Sequence, residues 1–278
     1  MNILISCLSY KEYTGSELYY YELRSALVDK GHNVDIFTPN HGAPLIKHTN
    51  SMNIINEKDL NNKEYDLVIF SHGKIVWKYI KNVQARKFIN VIHSEVIPLE
   101  EPIIDSKITA YVGIRPSIID YIKRKTHSNS DDIHLVYNPV DFNRFNSDTC
   151  KKEDSNEKVV LFPGSLDYLR IKPIQHLLKL SDDQNFKVIH VGRNDYSISH
   201  PNFKSHKPTW KIEKYYKQCD IVSGIFLGRT SIEGLLCRKK VLQFDVDSKG
   251  NIHRVYWYTD NDIDKYNKIT VAEELIRI

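Results

Sequence analysis

Gly228-Arg229-Thr230-Ser231-Ile232-Glu233-Gly234-Leu235-Leu236-Cys237-Arg238-Lys239-Lys240-Val241-Leu242 decides how the rest of the chain is read. A glycine opens a stretch whose apolar spacing predicts a helix over 231–237, and a β-branched and leucine-rich run predicts a buried strand over 241–244. The first N–H groups of a helix have no intrahelical acceptor, so they attract an anion. A carboxylate one turn in, Glu233, can accept from ribose hydroxyls. Phosphate on the amides and ribose on the carboxylate describe a nucleoside diphosphate. The plainer reading of the same residues is a glutamate that stabilises a helix dipole.

Working outward, the same rhythm recurs on both sides. Before this stretch come a strand over 221–223, a helix over 210–218, a strand over 187–191, a helix over 174–180 and a strand over 159–162. Residues 146–158 are polar and charged and read as a linker. Ahead of it the alternation repeats: strand 2–8, helix 16–30 closed by Gly31, and strands 34–38, 67–71, 88–93 and 108–112. Helices over 73–87 and 116–125 separate the later strands. Strand–helix alternation of this kind builds a parallel sheet covered on both faces. The expected fold is therefore α/β: two Rossmann-like doubly wound domains, 1–150 and 151–278, facing each other across a cleft, with the ligand at the carboxyl ends of their strands.

Bulk properties are those of an ordinary soluble globular protein. In 278 residues, 41% are hydrophobic and 27% charged. The longest apolar runs are far too short to span a bilayer. The N-terminus has neither a basic segment nor a small-residue cleavage site, so no signal peptide and a cytoplasmic location are expected. Cys7, Cys150, Cys219 and Cys237 form no metal-spaced pair and read as reduced thiols. Abundant Asn, Lys, Ile and Tyr point to an AT-rich genome, such as that of a phage or a low-GC bacterium. The net charge of +4 is uneven. Residues 1–150 carry 17 basic and 18 acidic side chains, the remainder 22 and 17. A basic second half suits a diphosphate there.

Other motifs are individually modest. Thr14-Gly15-Ser16-Glu17 sits between the first strand and its helix, where glycine admits a ligand close to the backbone; a plain turn with Ser16 as N-cap reads equally well. Gly31-His32-Asn33-Val34 is a helix stop. Asn138-Pro139-Val140-Asp141 is a turn. Phe162-Pro163-Gly164-Ser165, followed by Arg170 and Lys172, is a strand end with two cations, suited to a phosphate clamp or to solvent.

In this order the motifs resemble the GT-B glycosyltransferases, specifically family 4 of the retaining enzymes, over about residues 1–245. That family has a Gly-Gly-x-Glu loop, matched by Gly15-Ser16-Glu17, and Gly-His-x-Val, matched by Gly31–Val34. Histidines close later strands of its first domain, as His72 and His93 do here. Asn-Gly-Val-Asp ends its first domain, near Asn138–Asp141. Two departures stand out. Ser165 occupies the place of a phosphate-binding arginine, for which Arg170 or Arg229 would substitute. Ile225 occupies the first glutamate of Glu-x7-Glu, the one facing the donor sugar, while Glu233 keeps the second, facing the ribose. A sugar other than an ordinary hexose would reconcile this. The chain is short for the family, which puts the closing C-terminal helices in question.

The resemblance implies metal-independent transfer with retention, from a nucleotide-sugar co-substrate and without a cofactor. Lys172 and Arg170 would clamp the leaving diphosphate, and His93 would contact the transferred sugar. Gly15, Ser16, Gly164, Ser165, Arg229, Thr230 and Glu233 would line the donor site. Asp245-Val246-Asp247 is read as a loop, not as a metal site. On the acceptor side, Lys74, Lys78 and Lys81 share one helix face, and no acid occurs between Leu67 and Ser94. A basic face suits a polyanion, either DNA or an anionic membrane glycolipid, or it is simply solvated. Hydroxymethylcytosine in phage DNA is the favoured acceptor; a surface polysaccharide or glycolipid, a nucleotide-sugar epimerase and an inactive binding module are the alternatives.

Overall fold

A computed structural model describes residues 1–48, 53–127, 130–152 and 155–278. The chain divides into two compact units. One comprises residues 1–12, 16–139 and 265–278, the other 13–15 and 140–264. The division thus falls at 139/140 rather than at 150/151, and the last helix returns to the first unit. The polar stretch 146–158, of which 153 and 154 lie outside the described residues, belongs to the second unit.

In the first unit the strands are β1 (Asn2–Ser6), β2 (Ser9–Tyr10), β3 (Asn33–Phe37), β4 (Asn40–His41), β5 (Asn53–Ile54), β6 (Glu64–Phe70), β7 (Gln84–Ile92), β8 (Ala110–Gly113) and β9 (Ile133–Leu135). The helices are α1 (Gly15–Asp29), α2 (Gly73–Ile80) and α3 (Pro116–Thr126). Seven strands form one parallel sheet in the order β5-β3-β1-β6-β7-β8-β9, and β2 pairs with β4 apart from it. Ile3, Leu4 and Ile5 of β1 and Val68, Ile69 and Phe70 of β6 are fully buried, as expected of strands covered on both faces. The winding runs from β1 out to β5, then returns beside β1 at β6 and runs the other way. The carboxyl ends of β1 and β6 therefore form a topological switch point, the place where an open α/β sheet leaves a crevice.

The helix expected over 73–87 ends at Ile80. Residues 84–87 instead begin β7, in register with β6 through Glu64↔Gln84 and Leu67↔Lys87. The basic residues Arg86 and Lys87 blur the strand signal, because this end of β7 is solvated while Phe88–Ile92 is buried.

The second unit contains β10 (Val159–Pro163), α4 (Ile171–Gln184), β11 (Lys187–Val191), β12 (Phe203–His206), α5 (Glu213–Tyr216), β13 (Ile221–Ile225), α6 (Arg229–Leu236), β14 (Lys240–Val246) and β15 (Ile252–Tyr258). Its sheet has the order β12-β11-β10-β13-β14-β15, parallel except for β15. Here the winding reverses between β10 and β13. The final helix, α7 (Lys268–Arg277), is present; Asn267 caps it by accepting from the Ile269 amide at 2.9 Å, and Val271, Ala272 and Leu275 are buried. Cys150 and Cys237 are joined in a disulfide, with Cα atoms 5.3 Å apart, which corrects the expectation of four free thiols. The partners are 87 residues apart in sequence, beyond any local spacing rule. Cys7 and Cys219 are free and buried. Among the described residues no helix is long and apolar enough to cross a membrane.

Candidate functional site

The expected site residues other than Gly15, Ser16, His93 and the α2 lysines lie in the second unit, after two neighbouring strands at the switch point. Gly164 and Ser165 follow β10, Arg170 and Lys172 open α4, and Arg229, Thr230 and Glu233 lie on α6 directly after β13. β10 and β13 are neighbours, so both strand ends face one crevice. Gly164 has φ +114°, a conformation that favours glycine. Its carbonyl passes so close to Gly192 that a Cβ there would collide with it. His190 fastens this turn: Nε2 lies 2.8 Å from the Gly164 carbonyl and Nδ1 2.9 Å from Ser205 Oγ. A carbonyl only accepts, so the Nε2–H donates and Nδ1 accepts from the serine. Burial lowers the His190 pKa, in keeping with a neutral ring.

The two α4 cations are already engaged. Arg170 pairs with Asp167 at 2.5 Å, and Lys172 Nζ donates to Asn251 Oδ1. Asn251 belongs to the turn after β14, where Asp247 accepts from the Lys249 and Asn251 amides, each at 2.8 Å. Asp247 is thus a turn former.

On α6, Arg229 Nε donates to Glu233 Oε1 at 2.7 Å, and both side chains are almost wholly buried. The Tyr216 hydroxyl lies 2.9 Å from Glu233 Oε2 and 3.0 Å from the Thr230 carbonyl. The two residues expected to meet phosphate and ribose therefore meet each other first. Tyr216 went unrecognised in the sequence, because it precedes Glu233 by 17 positions on a different helix.

The loop joining β13 to α6 has an unusual backbone. Phe226 and Leu227 have φ of +57° and +47°, which side-chain-bearing residues rarely adopt. Gln243 on β14, fully buried, holds this loop. Its Oε1 accepts from the Leu227 amide at 2.8 Å, and its Nε2 donates to Ser231 Oγ at 2.7 Å. Neither Gln243 nor the strain had a sequence signal. Ile225, in place of the glutamate that the resemblance would put there, is buried at the end of β13.

In the first unit a second polar group occupies the β1/β6 switch point. Glu17, expected as part of a ligand loop, is buried and shapes that loop itself: Oε1 accepts from Ser9 Oγ at 2.6 Å and from the Lys11 and Glu12 amides at 2.9 and 3.1 Å. Gly15, which groups with the second unit, and Ser16 start α1; among the described residues nothing lies within 4 Å of a Cβ built on Gly15, so sterics do not demand glycine there. His72 follows β6, and His93 follows β7. Burial drives both imidazoles toward the neutral form, His72 to a pKa of about 4 and His93 to about 3. Among the described residues, His93 Nε2 is buried and meets no hydrogen-bond partner. Tyr19 stands edge-on to the His93 ring at 4.7 Å. Glu100 is buried nearby, and desolvation pushes its carboxyl up to about 7.

Lys74, Lys78 and Lys81 are all exposed on α2 and its C-terminal cap, on one face. Lys74 is partly neutralised by Glu101 at 3.1 Å, which also meets Lys125 at 3.3 Å.

No family model matches the chain, and no curated protein matches it. Solved structures do. HepE from Anabaena, in complex with UDP and glucose, superposes with a TM-score of 0.66 at 14% identity, covering 99% of this chain and 90% of that one. The lipopolysaccharide outer core galactosyltransferase WaaB matches with a TM-score of 0.61 at 12% identity over 100% and 90% of the two chains. An α-glucosyltransferase in complex with UDP and a 13-mer DNA matches with a TM-score of 0.62 at 11% identity, again over 100% and 90%. At these identities the likeness establishes the fold: two α/β units of the GT-B glycosyltransferase type.

Proposed function

We propose that the chain is a glycosyltransferase that moves a sugar from a nucleotide-sugar donor to an acceptor hydroxyl, with retention and without a metal. One observation carries the reading. Gly164, Ser165, Arg170, Lys172, Arg229 and Thr230 come from two separate parts of the sequence, and they gather at the β10/β13 switch point of a GT-B fold. UDP bound to HepE and to the DNA-bound α-glucosyltransferase supports a nucleoside diphosphate as the ligand class.

In this reading the bond between the anomeric carbon and the diphosphate oxygen breaks as the acceptor oxygen attacks from the same face. The acceptor proton passes to the departing diphosphate. Negative charge grows on that diphosphate, and fixed positive dipoles and cations stabilise it without reorganising. Arg170 and Lys172 supply the cations, exchanging Asp167 and Asn251 for phosphate oxygens. The first amides of α6 supply the dipoles. Glu233 offers about four acceptor positions, of which Arg229 and Tyr216 use two, leaving others for ribose hydroxyls. His93, with its unpartnered Nε2, contacts the transferred sugar.

Lys74, Lys78 and Lys81 provide the acceptor face, and hydroxymethylcytosine in duplex DNA is the acceptor this reading favours. The DNA-bound neighbour supports it; WaaB supports a lipopolysaccharide-type acceptor instead. The deciding experiment incubates the protein with hydroxymethylated duplex DNA and a panel of nucleotide sugars, then weighs the nucleosides. A sugar-sized mass gain identifies donor and acceptor together. Donor hydrolysis without mass gain keeps the transferase and moves the acceptor to glycans or lipids. Interconversion of free nucleotide sugars would mean an epimerase, and no reaction with any donor would mean a binding module.

A further inference from the structure

We propose that the second unit carries a phosphate-contacting surface for duplex DNA, formed by Lys204, Lys207, Lys211, Lys214 and Lys217 on β12, α5 and the connection between them. This rests on the reading that the acceptor is a modified base in duplex DNA, and it adds a basic face to the one on α2.

Charge in this stretch is one-sided. From Tyr196 to Cys219 the five lysines are accompanied by a single acid, Glu213. That acid is already engaged: it pairs with Arg144, whose guanidinium also donates to the Trp210 carbonyl and stacks on the Trp210 ring at 4.1 Å. Lys204, Lys207, Lys211 and Lys214 are exposed and Lys217 is half-buried. Among the described residues none of the five meets a carboxylate.

The fold gathers these cations around an aromatic platform. The His206 ring lies 5.0 Å from the Tyr215 ring, and Lys214 Nζ stands 4.8 Å from the centre of the same ring. Lys204 precedes His206 by two residues on β12, so the two share one face of the strand. Burial lowers the His206 pKa, and the charges of Lys204 and Lys214 lower it further. Lys214 and Lys217 are three positions apart on α5 and its C-cap and share a helix face. Lys207 and Lys211 lie at the two ends of the connection from β12 to α5. Like charges gathered in this way repel one another, and a polyanion laid across them relieves the repulsion.

The surface adjoins the donor crevice. β12 stands two strands from β10, about 10 Å away. The Gly192 amide donates to the His206 carbonyl at 3.0 Å, and Gly192 in turn packs against the Gly164 turn. Duplex DNA carries one negative charge per about 1.7 Å of its axis, so a duplex with its target base at the crevice has phosphates within reach of β12. The surface also suits nucleic acid better than lipid. Among the described residues from 203 to 217 no large apolar side chain is exposed. Docking on a lipid surface draws on an apolar face as well as on charge, whereas phosphate contact needs charge alone.

The test uses the full chain and an unmodified duplex of about two helical turns without donor, so that binding is read separately from sugar transfer. Wild-type affinity should fall steeply with salt. Combining Lys204→Gln, Lys207→Gln and Lys214→Gln should weaken binding at least about tenfold and reduce the magnitude of the salt slope by about 2 to 3, since each phosphate contact contributes about 0.9. Combining Lys151→Gln, Lys158→Gln and Lys179→Gln removes the same charge from exposed lysines elsewhere in the second unit. That control should weaken binding by about threefold at most, because it changes only the overall field. Both variants should keep the wild-type thermal midpoint and rate of donor hydrolysis. Equal losses in the two variants overturn the surface, since net charge alone would then account for binding. A wild type that fails to bind the duplex also overturns it, as does lysine-dependent capture by vesicles of phosphatidylcholine and phosphatidylserine in place of DNA. Failure of the underlying reading looks different: lysine-dependent duplex binding with no sugar transferred to hydroxymethylated DNA keeps the surface and removes that acceptor.

Discussion

Glu233 and Arg229 show how one residue can serve fold and chemistry together. Their ion pair is almost wholly buried, with side-chain exposures of 3% and 4%, so each desolvated charge depends on the other. Arg229→Met would strand the Glu233 carboxylate, and removing one partner of a buried pair costs about 3–5 kcal/mol. A large drop in the urea midpoint of Arg229→Met, partly restored by adding Glu233→Gln, is the expected result. Tyr216→Phe deletes one donor to the same carboxylate and should cost about 1–3 kcal/mol. Lys172 differs: it is exposed, and among the described residues its ammonium meets an asparagine alone. Lys172→Ala should leave the thermal midpoint within about 1 °C, as surface changes usually do, while donor turnover falls at least tenfold. Equal turnover in Lys172→Ala and wild type would remove that lysine from the diphosphate clamp.

At the scale of elements, the β13–α6 loop is the most constrained part of the second unit. Two consecutive non-glycine residues with positive φ cost about 1–3 kcal/mol each and persist only where surrounding structure imposes them. Gln243 imposes it here. Gln243→Leu would leave the Leu227 amide and Ser231 Oγ without their partner, and should lower stability by about 2 kcal/mol or more. Leu227→Gly should instead be neutral or stabilising by up to about 1 kcal/mol, because glycine accepts this φ without strain; a clear loss would mean that the leucine side chain outweighs the strain. This loop also marks where sequence reading stops. The alternation of strand and helix, the glycine stops and the positions of Gly164, Arg229 and Glu233 were legible because they are local patterns. The end of α2 was misread because Lys81–Lys87 carries no contrast between helix and strand until β6 is beside it. β15, rich in aromatics, and α7, capped by Asn267, had local signals that went unread. Tyr216, Gln243 and the Cys150–Cys237 link had none, since each acts on a residue more than ten positions away.

Across the whole molecule, three buried titratable groups of the first unit should govern how stability responds to acid. His72 and His93 have folded pKa values of about 4 and 3, below the ordinary 6.5. Between pH 6.5 and 4.5 the unfolded chain therefore protonates both rings while the folded chain protonates neither, so stability falls as pH falls. Glu100 works in the opposite sense. Its folded pKa of about 7 exceeds the ordinary 4.5, so in the same window the folded chain keeps a carboxyl proton that the unfolded chain has released. Two protons gained on unfolding against one lost leave a net uptake of about one, or a slope of about 1.4 kcal/mol per pH unit. From these groups the protein should lose about 2–3 kcal/mol of unfolding free energy between pH 6.5 and 4.5. Urea midpoints measured across that range give the slope directly. His93→Gln should flatten it, because one imidazole then balances one carboxyl, and Glu100→Gln should steepen it toward about two protons. A slope unchanged in both variants would mean that these three groups do not titrate as buried groups of the folded chain.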